Sequence, residues 1–372
     1  MGKGIQYLLI LAVAGAFAAT FIWRGGRRWQ KRSLRIILGI LFLILAAPLI
    51  LFESYDLPAV TGSLTVAAKE FTWVDESRVE TYADTGEKRA LTIKVWYPEE
   101  TGSYPLIVFS HGAFGVIDSN ASTCEELASN GYVAVSIGHT YHAMFVKDVN
   151  GKVTMANGDF VRQIYMGNGK DGAEGEERIY QASREWMQVR TGDENFVLDT
   201  ILEKARKKEG LFQKVDPEKI GLFGHSMGGA SSVALGRMRK DIGAVIDLEG
   251  TMLGEYTGFE NGSYLYEEEP YPVPLLDVNS RKAYEQAKAL SGREYVNFYV
   301  GDRAACFAEI IINGAGHLNF TDLPMVSPIL AKVLGVGEVD AKTCIKNVNE
   351  IVLTFFNYYL KGEGSPVLKK VY

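Results

Sequence analysis

Ile220-Gly221-Leu222-Phe223-Gly224-His225-Ser226-Met227-Gly228-Gly229-Ala230 runs from a short apolar stretch, through one serine set between glycines, into small residues, Ser231-Ser232-Val233-Ala234-Leu235, that can open a helix packed close to a sheet. The pattern predicts a strand, a sharp turn and a helix, with Ser226 at the apex. A serine hydroxyl is a poor nucleophile. It has to be held clear of the backbone, within reach of a base and beside a helix N-terminus. Gly224 and Gly228 leave room for so tight a turn. Five letters alone are a hypothesis, since a glycine-rich turn that binds without reacting would read the same way. The surroundings fit the reactive reading: Asp216-Pro217 punctuates the chain before the strand, and small residues follow the turn.

The flanking sequence predicts an α/β domain with a mostly parallel sheet and helices on both faces. Strands are expected near 71–74 and at 90–97, where Leu91, Ile93, Val95 and Tyr97 alternate. Leu106-Ile107-Val108-Phe109 is continuously apolar, as a strand covered on both faces requires, and it runs into Ser110-His111-Gly112-Ala113-Phe114-Gly115. In such a sheet ligands bind beyond the carboxyl ends of the strands, so this loop and the serine turn are expected to open on the same side. A helix at 122–130 with Ser122 as its cap, and strands at 132–137, 243–248, 273–278 and 307–312, complete the alternation. A helical region at 177–208, interrupted at Gly192, leads to the central strand, and a helix at 341–360 closes the chain. Residues 141–177, with a hairpin turn at Asn150-Gly151 and a polar glycine-rich stretch at 167–175, and residues 249–271 read as cap-like insertions beside the site.

Residues 1–52 are a separate matter. Ile5–Trp23 and Ile36–Phe52 carry no charge, and each run approaches the length of a membrane-crossing helix. Arg24, Arg27, Arg28, Lys31, Arg32 and Arg35 lie between them and place the connector on the cytoplasmic side. A two-helix transmembrane hairpin is therefore expected, with 53–70 as tether and 71–372 as a catalytic domain facing the extracytoplasmic side of the cell membrane. A cleaved signal peptide ending near Ala16-Phe17-Ala18 is the competing reading, but it would export the cationic stretch. Of 39 Lys and Arg and 45 Asp and Glu, seven cations and no anions fall in residues 1–52, which leaves 32 against 45, a net charge of −13. So acidic a remainder argues against a nucleic-acid partner. Cys124, Cys306 and Cys344 are widely spaced and make no metal-binding pattern, and the chemistry expected at Ser226 needs no metal or cofactor.

An activated serine needs a base and a group that orients it. Of the five histidines only His317, in Asn313-Gly314-Ala315-Gly316-His317, follows the last strand, where the order serine, acid, histidine requires the base. His225 is expected to pack and His111 to shape its loop. For the acid, Asp247 at the end of the strand after the serine turn is favoured. Asp277 comes next, within Leu275-Leu276-Asp277-Val278, and Glu249 third. The oxyanion of an acyl-transfer intermediate would be met by the backbone N–H groups of Met227 and Ala113.

With these residues assembled, the chain resembles the platelet-activating factor acetylhydrolase group of α/β-hydrolases. The resemblance rests on Phe109-Ser110-His111-Gly112, the 220–230 stretch, Ala244-Val245-Ile246-Asp247, Val278-Asn279-Ser280 and Gly316-His317-Leu318-Asn319-Phe320, and it spans roughly 91–320. It implies an α/β-hydrolase fold and a serine hydrolase of lipid-type or short-acyl carboxylic esters. Ser226, Asp247 and His317 would be its triad, with the short interval from Ser226 to Asp247 favouring that acid. The two-span anchor and the two insertions depart from the family pattern. Polyester- or dienelactone-type esterases, acyl transfer on the same triad, or a silent binding ectodomain are the alternatives.

Overall fold

The structure, a computed structural model, describes residues 3–52, 55–166, 172–290, 295–365 and 369–372. Positions 167–171 of the polar glycine-rich stretch lie outside the described residues. The chain divides into two compact units, one of 1–56 with 323–334 and one of 57–322 with 335–372.

The first unit holds α1 (Lys3–Ile22) and α2 (Arg28–Leu51). These helices touch: the Gln6 side chain donates to the Leu45 carbonyl at 2.8 Å, and Arg35 donates to the hydroxyl and carbonyl of Thr20, both at 3.0 Å. α2 has 24 residues, and an 18-residue stretch within it reaches a mean hydropathy of 2.7, so it is long and apolar enough to cross a membrane. The apolar part of α1, Gln6–Ile22, is shorter. Short helices at Leu323–Val326 and Pro328–Leu334 group with this unit.

The second unit is built on one eight-stranded sheet. In chain order its elements are β1 (Val66–Val79), β2 (Lys88–Pro98), β3 (Tyr104–Ser110), α3 (Ala121–Ser129) and β4 (Val133–Gly138). A hairpin of β5 (Phe145–Lys147) and β6 (Val153–Met155) follows, then α4 (Gly158–Met166), α5 (Gly172–Arg206), β7 (Val215–His225), α6 (Met227–Met238) and β8 (Ile242–Leu248). A second hairpin, β9 (Tyr256–Glu260) with β10 (Ser263–Tyr266), precedes β11 (Leu275–Ser280), α7 (Arg281–Lys288), α8 (Val296–Arg303) and β12 (Phe307–Ile312). A helix over Ala341–Phe356 ends the core. The strand order is β1-β2-β4-β3-β7-β8-β11-β12. The six strands from β4 to β12 run parallel, while β1 and β2 are antiparallel additions at one edge.

Leu106, Ile107, Val108 and Phe109 of β3 are all fully buried, as an apolar run in a doubly covered strand demands. Each such side chain contributes about 1.5–3 kcal/mol relative to exposure. Leu91, Ile93 and Val95 join Val197, Leu198, Ile201 and Leu202 of α5 in the main core.

Several sequence-based boundaries shift. β1 begins at Val66, inside the expected tether, because it pairs along almost the whole of β2. The cap of α3 is Asn120 rather than Ser122, whose hydroxyl and amide are both taken by Asp322. α5 passes unbroken through Gly192 for 35 residues, since that glycine makes room for Arg78, whose Nη1 lies 2.5 Å from where a Cβ would stand. The Asn150-Gly151 turn is formed: Asp148 accepts the amides of Asn150 and Lys152 at 2.9 and 2.8 Å, and Gly151 takes φ +90°.

Candidate active site

β7 ends at His225, and Ser226 makes the turn into α6 with φ 56° and ψ −124°. A left-handed φ on a residue with a side chain costs of order 1–3 kcal/mol and persists only where its surroundings enforce it. Here the Ser226 amide donates to the Leu248 carbonyl at 2.9 Å, and its carbonyl accepts from the Ala230 amide at 3.0 Å. The flanking glycines are required by close approach. A Cβ on Gly228 would stand 1.9 Å from the Ser110 carbonyl oxygen, and one on Gly224 2.2 Å from the Gly228 carbonyl carbon. Met227 is the first residue of α6, so its amide is among those a helix leaves without an internal acceptor.

The carboxylate that meets His317 is Glu249. Its Oε2 accepts from His317 Nδ1 at 2.8 Å, and its Oε1 accepts from the Ser280 amide at 3.0 Å. This corrects the expectation that Asp247 would orient the histidine. The β7–β8 register pairs Gly224 with Asp247 and His225 with Leu248, so Asp247 lies two residues below the serine and Glu249 comes level with it. Like Ser226, Glu249 leaves the sheet at a positive φ, 53°. Asp247 is fully buried; its Oδ1 accepts from the Gly250 amide at 2.8 Å, while its Oδ2 has no partner among the described residues. Burial, with Asp277 paired beside it on β11, pushes its pKa well above the usual carboxylate range, which disfavours the charge that an imidazolium would need. Asp277 is no closer to His317: its Oδ2 accepts from Asn297 at 3.2 Å.

Burial pushes the Asp277 pKa up to about 7. An unfolded aspartate ionises near 3.8, so the stabilisation from keeping this proton is complete below that pH and is lost as pH rises through 7. The slope is at most about 1.4 kcal/mol per pH unit. Asp277→Asn, a neutral isostere, is expected to flatten the fall in melting temperature between pH 5 and pH 8, as differential scanning fluorimetry would read.

His317 opens a short helical turn just past β12. Asn319 fixes that turn, its side-chain oxygen accepting from the amides of Gly316 and Gly337 at 2.9 and 2.7 Å. His225, expected only to pack, donates from Nε2 to the His317 carbonyl at 2.9 Å. Burial, and next the nearby His317, hold the His225 pKa well below its ordinary value, so it is a neutral donor. The residue before the serine thus anchors the histidine's loop. With Nδ1 engaged by Glu249, the Nε2 of His317 is the ring nitrogen left for chemistry. Ser226, Met227, Ala113, Glu249 and His317 all line one cleft of about 810 Å³, whose farther walls include Ile164, Leu253, Tyr284, Ala287 and Phe298.

The model of the family described as platelet-activating factor acetylhydrolase, isoform II, matches residues 64–364. The chain belongs to that family. It is 26% identical over 276 residues to platelet-activating factor acetylhydrolase of Bos taurus, covering 69% of this chain and 57% of the relative. Against that of Gallus gallus it is 25% identical over 281 residues, covering 69% and 62%. The chain thus spans under two thirds of the length of these curated relatives. A solved structure, a ferulic acid esterase from Streptomyces cinnamoneus, superposes with a TM-score of 0.62 at 21% identity, covering 84% of this chain and 95% of that one. That likeness establishes the α/β-hydrolase fold.

This acetylhydrolase-family domain also holds, away from the cleft, a buried serine–histidine–aspartate chain that sequence reading does not reveal. Ser110 Oγ lies 2.9 Å from His139 Nε2, and His139 Nδ1 lies 2.9 Å from Asp193 Oδ2. Arg89 grips both Asp193 oxygens, at 2.5 and 2.6 Å, and Glu80 at 2.7 Å. Ser110, His139 and Asp193 have no exposed surface, and burial beside Arg190 lowers the His139 pKa to about 3. No substrate can reach these side chains; they brace the floor under the Ser110–Gly115 loop. Among the described residues no three His, Cys, Asp or Glu side chains are grouped to hold a metal ion, and all three cysteines are free thiols.

Proposed function

We propose that the protein is a membrane-anchored serine hydrolase of carboxylic esters, with Ser226 as nucleophile, His317 as base and Glu249, in place of Asp247, as the orienting acid. The observation that carries this reading is the 2.8 Å hydrogen bond from His317 Nδ1 to Glu249 at the rim where strained Ser226 enters the cleft. His317 Nε2 takes the hydroxyl proton as Ser226 Oγ bonds to the ester carbonyl carbon. The amides of Met227 and Ala113 meet the oxyanion, and the same imidazole returns the proton to the departing alcohol. Water, deprotonated in turn by His317, then cleaves the acyl-enzyme and releases the acid.

The substrate class follows from the cleft and the kinship. The walls at Ile164, Leu253, Tyr284, Ala287 and Phe298 suit a lipid-type or short acyl group, and the relatives are named platelet-activating factor acetylhydrolases. The 141–177 and 249–271 insertions supply Ile164, Thr251 and Leu253 to these walls. α2 would span the bilayer with α1 as its returning partner. The cationic connector then lies on the cytoplasmic side and the catalytic domain outside.

Treatment with a fluorophosphonate probe, followed by peptide mapping, is expected to place a single adduct on Ser226. Nitrophenyl esters from two to sixteen carbons would give the acyl preference, with short chains expected to be turned over fastest. An unlabelled Ser226 in folded, membrane-reconstituted protein would overturn the reading.

A further inference from the structure

Arg190, on α5, is the largest side chain with no exposed surface, and sequence reading gives it no role. Its hydrogen bonds run to neutral acceptors. Nη1 donates to the His111 carbonyl at 2.7 Å, Nη2 to the Gly112 carbonyl at 3.3 Å and Nε to His142 Nδ1 at 3.2 Å. Burying a guanidinium without a carboxylate in contact is costly; Asp193 and Glu194, buried on the same helix, favour the charge through space, but its direct bonds are spent elsewhere. What lies nearby is the loop that ends in Ala113.

The geometry points to Arg190 as a positioning residue for the oxyanion site, an inference that rests on the reading above. In a trans peptide the C=O and N–H point in opposite directions within one rigid plane. The Gly112 carbonyl is drawn toward the interior by Arg190, by His111 Nδ1 at 2.7 Å and by the Gly115 amide at 3.1 Å. The other end of that plane, the Ala113 amide, is thereby turned away from the interior and toward the cleft that Ala113 shares with Ser226 and Met227. The next two amides are already used, Phe114 on the His142 carbonyl at 3.0 Å and Gly115 on Gly112. The Ala113 amide is left for a ligand. A cation on the carbonyl of a peptide also polarises it and strengthens its N–H as a donor. His142, stacked on Phe160 at 4.0 Å, keeps the guanidinium in place.

The test uses Arg190→Lys and Arg190→Met in the full chain. Steady-state hydrolysis of nitrophenyl acetate is read together with inhibition by an aryl trifluoromethyl ketone, whose serine adduct carries an oxyanion, and by the matching alcohol, which carries none. Loss of one oxyanion donor typically costs about 100- to 1000-fold. Because His111 and Gly115 also hold Gly112, kcat is expected to fall about 10- to 100-fold, with KM within about threefold. The ketone Ki should rise by the same factor as kcat/KM falls, and the alcohol Ki should stay constant. If Arg190→Met does not fold, Arg190→Lys decides, since it keeps charge and bulk but loses the forked donors. A folded variant whose kcat and ketone Ki stay within about twofold of wild type would overturn the inference, as would ketone and alcohol Ki values that rise together. A wild-type protein that neither turns over the ester nor binds the ketone would sink the hydrolase reading and this one with it. Activity retained in both variants would sink this one alone.

Discussion

In Ser226→Ala, turnover of nitrophenyl acetate is expected to drop by about 10⁴- to 10⁶-fold, with the melting temperature almost unchanged. The size follows from losing covalent catalysis altogether, since no other hydroxyl can take over. Ser110, the one serine among the described residues paired with a histidine and an aspartate, is sealed in the interior. The fold is expected to tolerate the change because the left-handed φ of 56° is imposed by the backbone bonds to Leu248 and Ala230, which alanine keeps. Residual hydrolysis would report what Met227 and Ala113 do alone. A variant that kept more than about a tenth of wild-type activity would show that the nucleophile lies elsewhere.

The second large effect separates two carboxylates. Glu249→Gln is expected to cost about 10³- to 10⁴-fold in kcat, because the amide can no longer accept from Nδ1 as a charge that stabilises the imidazolium. Asp247→Asn is expected to stay within about tenfold of wild type. Burial already disfavours the charged form of Asp247, and asparagine retains the oxygen that accepts from Gly250. Measuring both side by side makes the assignment decisive: the opposite ranking would restore Asp247 as the acid. A matching loss in both would point to a loop that fails to form.

The serine turn and the histidine loop were readable because each is local. A glycine-flanked serine between an apolar run and a small-residue helix, and a histidine just past the last strand, need no knowledge of pairing. The carboxylate that meets His317 was not readable in the same way. Asp247 and Glu249 are two residues apart on one strand end, and which of them reaches the rim depends on the β7–β8 register, a non-local quantity. One signal was present: the serine itself lies beyond its strand, so its partner acid should be sought beyond the neighbouring strand as well. Periodicity misled at Gly192, where the glycine reads as a break but accommodates Arg78. It was silent on Arg190, since nothing in a helical pattern marks an arginine as interior. The two antiparallel edge strands were placed correctly but too short, because edge pairing extends as far as the partner allows.

The turn at Ser226 also ties reactivity to completed folding. An isolated chain has no reason to keep a serine at φ 56°; that conformation is held by a bond to Leu248 on β8 and by Gly228 pressed against the backbone of Ser110 on β3. On the proposed reading, the hydroxyl is therefore unremarkable while the polypeptide is nascent or in transit and becomes an alkoxide source only once three strands have docked. An organophosphorus tag would then serve as a maturation reporter, leaving chains stalled before sheet closure dark and lighting only those that have finished.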